Sequence, residues 1–317
     1  MNNVIHKLKQ MYYLIMGLFG LSFVIITHEF GHFLTAKLFQ VATPIFSIGF
    51  GPALLATKIG QTTFQIAAIP FGGYVAMSPE DLAAQPYPNK MIIILAGIFF
   101  NVVFAYLVMV YLAMHGKYKM LPIITNIIPH SPAQKSGLTV NDQVIAFNNA
   151  PTGEDIEEFL HYVGTSPGKT ITVTVKRNQT THDIPITLGT SHPILGPNVG
   201  WLGTKWQTVK IHQPTLWQAL VEGKNTILAM LQNIGGFTAT TFKKAGRAGI
   251  IGPIGIIVMT GRSLALSPQY FALILAVVSM NVALFNLLPI PFLDGGKAVQ
   301  YTIEAFVGPL PTGILNY

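Results

Sequence analysis

Residues 27–37 read THEFGHFLTAK and place two histidines and a glutamate at the end of a long apolar stretch. No charged residue occurs between Gln10 and Thr27. Ionisable side chains close to the depth of a bilayer are costly and are retained where they have a function. The stretch therefore predicts a membrane-spanning helix that continues to about Phe39 and carries a functional site near its end.

The composition of the whole chain agrees with a membrane protein. Of its 317 residues, 50% are hydrophobic and 10% are charged, whereas an average soluble domain is about 25% charged. Cysteine is absent, which excludes disulfides and thiolate metal ligands. The net charge of +7 is spread thinly, without a basic stripe that carries aromatic residues, so nucleic acid is not expected as a partner.

Three stretches reach the roughly 20 apolar residues that a spanning helix needs. They comprise residues 10–39, residues 91–114 and residues 270–288, the last within the uncharged run 263–293. A cleavable signal peptide is the alternative for the first stretch, but no small-residue cleavage pattern follows it. The fold class predicted is a polytopic α-helical membrane protein with three recognisable spanning helices.

The segments between these helices differ in character. Residues 40–75 are rich in glycine, threonine and β-branched residues, which predicts short strands that protein or the membrane interface must shield. Residues 120–206 contain the alternating stretch KTITVTVKR (169–177) and the helical pattern EDIEEFLHYV (154–163). These two patterns predict a small soluble α+β domain inserted between the second and third spans.

The segment that follows the inserted domain is apolar but interrupted by glycines. For residues 215–244 we favour an amphipathic helix along the membrane over a fourth span. Residues 249–259 are too short to span and too rich in glycine for a firm helix, so we expect a re-entrant or extended piece. The predicted domains are residues 1–119, 120–206, 207–262 and 263–317.

The motif HEFGH has the spacing of a metal site. His28 and His32 are four residues apart, so a helix places both imidazoles on one face, as two ligands of a tetrahedral zinc site require. Zinc lowers the pKa of a bound water to about 7, and Glu29 is near enough to take its proton. A chance match to H-E-x-x-H is the alternative, which the apolar surroundings disfavour. The motif therefore predicts zinc-dependent hydrolysis with Glu29 as catalytic base.

A third zinc ligand is expected to be an acid, because cysteine is absent and the other histidines are scattered. Only Asp294 directly follows a predicted span, in NLLPIPFLDGGK (286–297). Pro289 and Pro291 must end or kink the helix there. An aspartate on irregular backbone at membrane depth is tolerated where it lines a cavity. Its alternative role, as the N-cap of the next helix, does not exclude metal binding.

HEFGH at the end of a first span and NLLPIPFLDGG at the end of a later one resemble the site-2 protease family of intramembrane zinc metalloproteases. The bacterial regulator-of-sigma-E protease type is the form that the sequence resembles, over nearly the whole chain. The resemblance implies zinc ligands at His28, His32 and Asp294, with Glu29 as general base. It also implies that residues 46–75 form a membrane-associated β-region that presents substrate as an added strand.

The resemblance suggests substrate-binding residues as well. Gly72 and Gly73 lie in the predicted β-region, and AGIFFN (96–101) is similar to the family's second-span motif, with Ile98 in place of its usual proline. An asparagine amide can hydrogen-bond a substrate backbone where water is scarce, or it can join helices. The substrate-binding candidates are Gly72, Gly73, Asn101, Asn281 and Asn286.

The stretch IITNIIPHSPAQKSGLTVNDQVIAFNN (123–149) resembles a PDZ domain in the permuted form of bacterial proteases. A single copy fits, and in the family it lies on the periplasmic or extracytoplasmic side, where it can bind peptide termini. The family also places a spanning helix after the L-D-G motif. The sequence ends at Tyr317, and whether that fourth helix is missing or truncated stays open.

These features predict a multi-pass zinc metalloendopeptidase of the bacterial inner membrane. Its expected partners are membrane lipid and transmembrane substrates, such as anti-sigma factors or signal-peptide remnants, which it would cut in regulated intramembrane proteolysis. A metal transporter is one alternative, but its ligands would be distributed along a pathway. A catalytically silent PDZ scaffold is another, and loss of Glu29 would be its mark.

Overall fold

The computed structural model describes residues 2–153, 156–192, 196–232 and 253–308. The chain divides into two compact units, one of residues 1–112 and 219–317, and one of residues 113–218. The first unit contains α1 (Asn2–Leu38), β1 (Ile45–Ile59), β2 (Thr62–Ala76), α2 (Pro79–Ala84), α3 (Tyr87–Met114), most of α6 (Leu216–Gln232), α7 (Pro253–Leu266), α8 (Pro268–Asn286) and α9 (Asp294–Val307).

Among the described residues, three helices are long and apolar enough to cross a membrane. They are Gln10–Leu38 within α1, Tyr87–Met114 and Pro268–Asn286. Each coincides with a predicted span, so these three predictions are confirmed. Helix α1 runs without interruption through the HEFGH motif, which fixes both histidines on one rigid element.

The segment predicted as short strands forms two long ones instead. Residues 45–48 of β1 pair on both sides, with residues 63–66 and with residues 73–76 of β2, while residues 55–59 pair with residues 62–66. The result is a mixed sheet of four segments in which residues 73–76 are outermost on one side. Residues 45–48 run antiparallel to residues 73–76 and parallel to residues 63–66. The side chains of Phe33 on α1, Phe46 and Phe64 pack together, with ring centroids 5.3 to 5.8 Å apart.

Helix α7 corrects the expectation of a re-entrant or extended piece at residues 249–259. Residues 249–252 lie outside the described residues, but from Pro253 the chain is helical and packs against α1. A methyl group on Gly17 would overlap the carbonyl oxygen of Ile257, and one on Gly261 would overlap that of Tyr13. One glycine on each helix, Gly17 and Gly261, therefore allows α1 and α7 to approach closely.

Helix α6 accounts for the first part of the predicted amphipathic segment, whose residues 233–244 lie outside the described residues. Its buried positions Ala219, Gly223 and Ile227 follow one face at a spacing of four residues. The hydroxyl of Tyr106 on α3 donates a hydrogen bond to the carbonyl oxygen of Leu220, at 3.3 Å. This face therefore packs on α3, and its position relative to a membrane stays a prediction.

The second unit is built on a sheet with the strand order β10-β3-β4-β6-β7, and β5 pairs with β4. Its core contains Phe159, Ile171, Val173 and Val175, all at most 1% exposed. Its elements are β3 (Lys117–Ile127), α4 (Pro132–Lys135), β4 (Gln143–Phe147), β5 (Ala150–Pro151), α5 (Glu157–Thr165), β6 (Thr170–Arg177), β7 (Thr180–Thr187), β8 (Gly189–His192), β9 (Gly196–Trp201) and β10 (Thr204–His212).

The boundaries of this unit differ from the predicted range 120–206. Strand β10 pairs with β3 as far as His212 opposite Lys117, so the sheet extends beyond both predicted ends. The sequence pattern assigns residues 207–212 to the segment that follows the inserted domain. Only the pairing of β10 with β3 assigns them to the inserted unit.

An ion pair with a buried carboxylate joins the neighbouring strands β4 and β6 at one end of this sheet. The carboxylate of Asp142 is fully buried and accepts hydrogen bonds from Arg177, at 2.7 and 2.8 Å, and from the backbone N–H of Thr139, at 2.8 Å. Burial alone would raise the pKa of Asp142, but the hydrogen bonds from Arg177 and Thr139 outweigh it and lower that pKa.

Replacing Arg177 by methionine should leave the Asp142 charge buried without its partner. We expect the free energy of unfolding of this unit to fall by about 3 kcal/mol at neutral pH. Because the pKa of Asp142 is lower in the folded state, this stabilisation is lost as pH falls below the unfolded value of about 3.9. Hydrogen exchange of the β4 and β6 amides in the intact protein measures it. Lys176→Met, on the neighbouring exposed residue, is the control, and equal protection in both variants would contradict the role of the pair.

Candidate active site

Three predicted residues come together at one buried point. His28 and His32 lie one turn apart on α1, and Asp294 is the first residue of α9. Asp294 Oδ2 is 2.9 Å from His28 Nε2 and 3.2 Å from His32 Nε2. The two Nε2 atoms are themselves 3.2 Å apart. All three side chains are buried, so the cluster is closed to bulk solvent on most sides.

The hydrogen bonding of His32 shows what this cluster can hold. His32 Nδ1 is 2.8 Å from the carbonyl oxygen of Ile93, which can only accept, so Nδ1 carries the proton. In the neutral imidazole, Nε2 then presents its lone pair to Asp294 Oδ2 and His28 Nε2. Three electron-pair donors that face one another repel unless a cation lies between them. The geometry is therefore that of a cation site.

The donor set fits zinc. Zinc bonds of 2.0 to 2.1 Å in a tetrahedral arrangement place ligand atoms about 3.3 Å apart. The three distances in the cluster lie between 2.9 and 3.2 Å. Two imidazoles and one carboxylate also leave the fourth position open, which is the ligand count of a catalytic zinc site. No other described group of three such ligands was found.

The turn after α8 aims Asp294 at the histidines. The N-cap of α9 is Leu293, which has no side-chain capping bond. The alternative role of Asp294 as an N-cap is therefore wrong. A methyl group on Gly295 would lie 2.5 Å from the carbonyl oxygen of Leu288, and one on Gly296 would lie 2.9 Å from the Cα atom of Pro291. Both glycines are needed because the turn folds tightly back on itself.

Gly97 on α3 is a site residue that the sequence analysis missed. A methyl group there would lie 2.6 Å from Cε1 and 2.7 Å from Nε2 of His28, and would also overlap His32. On the facing helix, a methyl group on Gly31 would lie 2.6 Å from the carbonyl oxygen of Ala96. Glycines on both helices therefore bring α3 against the imidazoles. The available signal was the glycine of AGIFFN within an otherwise apolar span.

Glu29 lies beside the cluster and is held by the sheet. Its Oε2 accepts a hydrogen bond from the backbone N–H of Val75, at 3.1 Å. Ser22 lies about two turns before Glu29 on α1. Its hydroxyl donates a hydrogen bond to the carbonyl oxygen of Pro70, at 3.1 Å, and accepts one from the N–H of Gly72, at 3.2 Å. Strand β2 is therefore fastened to α1 at two places, one of which is the predicted catalytic base.

Glu29 and the three clustered residues line one cavity of about 250 Å³. Asn286 lies in its wall, as its predicted role in substrate binding requires, and Lys297 is a wall residue that the sequence analysis did not consider. Asn281 is half-buried on α8 and, among the described residues, is not part of this wall. The other wall residues are Ile25, Val75, Met77, Ile94, Val282 and Phe292.

Asn101 lies beside His28. Its side chain is fully buried, and its Nδ2 lies 3.4 Å from His28 Nδ1. Its contact with substrate stays a prediction. Gly72 and Gly73 are also buried, and a methyl group on Gly73 would lie 2.6 Å from the carbonyl oxygen of Ser47. Their contact with substrate stays a prediction.

The apolar helices and the buried His–His–Asp cluster define a membrane protein with a metal site. The sequence profile of peptidase family M50 matches residues 16–313, and the chain belongs to this family. The predicted resemblance to site-2 proteases is thereby confirmed at the level of the family.

Similar proteins occur in distant bacteria. A protein of Clostridium perfringens is 29% identical, over 93% of this chain and 89% of its own length. One of Synechocystis sp. is 31% identical, over 92% of this chain and 85% of its own length. Both are named as putative zinc metalloproteases.

Gly97→Ala should push on both imidazoles and disrupt the cluster. We expect the zinc content of the purified protein to fall at least about tenfold, because ligand atoms must be placed within a few tenths of an ångström. Elemental analysis measures it. Gly164→Ala is the matched control, since a methyl group on Gly164 meets open space. Full zinc content in Gly97→Ala would show that the helices separate at no cost to the site.

Asp294→Asn keeps the shape of the side chain and replaces an anionic ligand with a neutral one. We expect zinc affinity to fall sharply, on the order of 100-fold or more, because the amide oxygen is a much weaker ligand for zinc. Competition with a coloured chelator measures it. Asp81→Asn is the control, because Asp81 accepts a hydrogen bond from the N–H of Ala42, at 3.0 Å, away from the cluster. Unchanged affinity in Asp294→Asn would mean that the third ligand is another residue.

Proposed function

We propose that this protein is an intramembrane zinc metalloendopeptidase that hydrolyses peptide bonds in membrane-spanning segments of other proteins. The observation that carries the proposal is the position of Glu29, whose carboxylate lines the same cavity as His28, His32 and Asp294. A metal site with a carboxylate base beside it is suited to activating water. Membership of a peptidase family and the names of the relatives support the same activity.

The residues of the cavity take separate roles in this reaction. His28, His32 and Asp294 would hold the zinc ion. Zinc, when bound, supplies a Lewis acid that increases the acidity of water and polarises a carbonyl group. Glu29 takes the proton from the attacking water and transfers it to the nitrogen of the departing amine. The N–H of Val75 fixes the orientation of the Glu29 carboxylate during these transfers.

Substrate binding is assigned to the sheet and to α8. Residues 73–76 form the outer segment of the sheet, and Val75 within it lines the cavity. An extended substrate that pairs with this segment would bring its backbone to the site without selecting side chains. The amide of Asn286, in the cavity wall, can donate a hydrogen bond to the substrate carbonyl as negative charge develops there.

The surroundings of the site suit a membrane substrate. Leu54, Leu55, Ile59 and Ile69 in the sheet are each more than half exposed, which supports association of this region with lipid. The bacterial sources of the relatives support a location in the inner (cytoplasmic) membrane. Transmembrane proteins, such as anti-sigma factors cut in regulated intramembrane proteolysis, or the remnants of signal peptides, are the substrates that we propose.

The inserted unit is proposed to be a single PDZ domain on the extracytoplasmic side. Its sheet, with α5 and the strand pair β8–β9, has the mixed α+β character of that domain. Peptide termini would bind there by strand addition and thereby be selected before cleavage. The zinc ligands all lie in the other unit, so we assign this unit to substrate selection and not to the chemistry.

The two alternative functions are less well supported. In a metal transporter the ligands would be spread along a pathway, whereas the ligand atoms of His28, His32 and Asp294 lie within 4.8 Å of one another. A catalytically silent scaffold would not need an oriented carboxylate beside the metal site, whereas Glu29 is held by Val75.

Glu29→Gln should separate metal binding from catalysis. We expect zinc content to stay unchanged, because the three ligands remain, and cleavage to fall by about 10²- to 10⁴-fold, because the base is lost. The test uses the full-length protein in liposomes with a panel of single-span membrane proteins, and measures zinc and product together. Glu80→Gln, on a glutamate hydrogen-bonded to Ser78, is the matched control. Cleavage by Glu29→Gln at the control rate would refute the assigned mechanism, and no cleavage by the unmodified protein at full zinc occupancy would argue against the proposed peptidase.

A further inference from the structure

Asn101 has an environment that its predicted role does not explain. The side chain is 0% exposed, and its Nδ2 lies 3.4 Å from His28 Nδ1. Its Oδ1 is buried and, within the described part of the chain, has no hydrogen-bond partner. A buried acceptor without a partner costs about 1 to 3 kcal/mol, so this arrangement calls for an explanation.

The chemistry of a metal-binding imidazole supplies one. His28 Nε2 faces Asp294 and His32, so Nδ1 must carry the proton when Nε2 binds a cation. An Nδ1–H group needs an acceptor, and an amide NH₂ group cannot serve as one. Turning the Asn101 amide by 180° exchanges its oxygen and nitrogen, which are distinguished only by their hydrogen bonds. Oδ1 then accepts from His28 Nδ1–H, and the NH₂ group moves to the position that Oδ1 had occupied.

The arrangement along α3 supports this assignment. Ile93, Gly97 and Asn101 follow one another at intervals of four residues and therefore share one face of the helix. The carbonyl oxygen of Ile93 accepts from His32 Nδ1, at 2.8 Å. Gly97 lets the helix approach both rings, and Asn101 stands opposite His28 as Ile93 stands opposite His32. Two acceptors on one helix face thus match two imidazoles on α1.

The position of Asn101 is itself fixed by α8. The hydroxyl of Ser279, which is fully buried, donates a hydrogen bond to the backbone carbonyl oxygen of Asn101, at 3.0 Å. This bond holds the main chain at Asn101 without involving its amide. The side chain therefore extends from an anchored point toward His28, as an orienting group requires.

We propose that Asn101 is a positioning residue for the metal site. Its Oδ1 accepts a hydrogen bond from His28 Nδ1–H, selects the tautomer that exposes Nε2 and makes that nitrogen a better ligand. The inference rests on the proposed zinc site and adds to it a residue that does not touch the metal or the substrate.

The test compares zinc affinity among variants of the full-length protein in detergent. Asn101→Leu keeps the approximate size and removes the acceptor, whereas Asn101→Asp keeps an acceptor oxygen. We expect Asn101→Leu to lower zinc affinity about 10- to 100-fold, as for the loss of other groups that orient metal-binding histidines. Asn101→Asp should keep the affinity of the unmodified protein or increase it. Chelator competition gives the affinity, and the visible absorption of the cobalt-substituted protein gives the ligand geometry.

Ser263→Ala is the control for a purely structural effect, because it removes a buried hydrogen bond to the carbonyl oxygen of Thr260 on α7 and leaves Asn101 and its anchor unchanged. We expect it to lower thermal stability while zinc affinity and the cobalt spectrum stay unchanged. If Asn101→Leu does not fold, Asn101→Ala replaces it in the same comparison.

The outcomes distinguish this inference from the proposed function. Equal losses of affinity in Asn101→Leu and Asn101→Asp, or no loss in either, would overturn the positioning role while zinc binding by the unmodified protein still stands. If the unmodified protein binds no zinc, the metal site and the positioning role fail together. If Asn101→Asp alone keeps the affinity and the spectrum, the acceptor at residue 101 is what the site requires.

Discussion

The structure of the membrane unit depends on one constraint, the convergence of three electron-pair donors at a single point. His28 Nε2, His32 Nε2 and Asp294 Oδ2 face one another at 2.9 to 3.2 Å, an arrangement that is repulsive without a cation. They come from two helices that are far apart in sequence. The contacts that place α1 against α9, including the tight turn at Gly295 and Gly296, therefore all contribute to holding these three atoms together.

Helix α3 completes the site without contributing a ligand. Because Gly97 has no side chain, α3 can lie directly against the imidazoles of His28 and His32. Polar groups of α3 accept hydrogen bonds from the imidazole nitrogens that face away from the metal site, as the carbonyl oxygen of Ile93 does from His32 Nδ1. Such a helix reads as an ordinary apolar span, because the carbonyl group that it uses at Ile93 is present in every residue. The site thus combines groups that a sequence motif reveals, such as the two histidines, with groups that no motif reveals, such as the carbonyl oxygen of Ile93.

The sequence alone predicted the parts of this protein that depend on composition and short-range spacing. The three apolar helices follow from length and hydrophobicity, and the pairing of His28 with His32 follows from the pitch of a helix. Asp294 could be selected because few acids follow a span. The role of Asn101 could not be predicted, since it depends on which nitrogen of His28 carries a proton. Likewise, the helical state of Pro253–Leu266 could not be predicted, since it depends on packing against α1, where Gly261 lets the two helices approach closely.

The hydrogen bond between Val75 and Glu29 ties the reactive carboxylate to the register of a sheet. Along a strand, successive N–H groups point to opposite edges, so a slip of β2 by one residue would turn the donor away from α1. Residues 45–48 resist such a slip, because they are paired on both sides and both sets of partners would have to move together. The orientation of Glu29 therefore depends on the strand register, which can change only in steps of one residue. Only one register of β2 places the Val75 N–H opposite the Glu29 carboxylate.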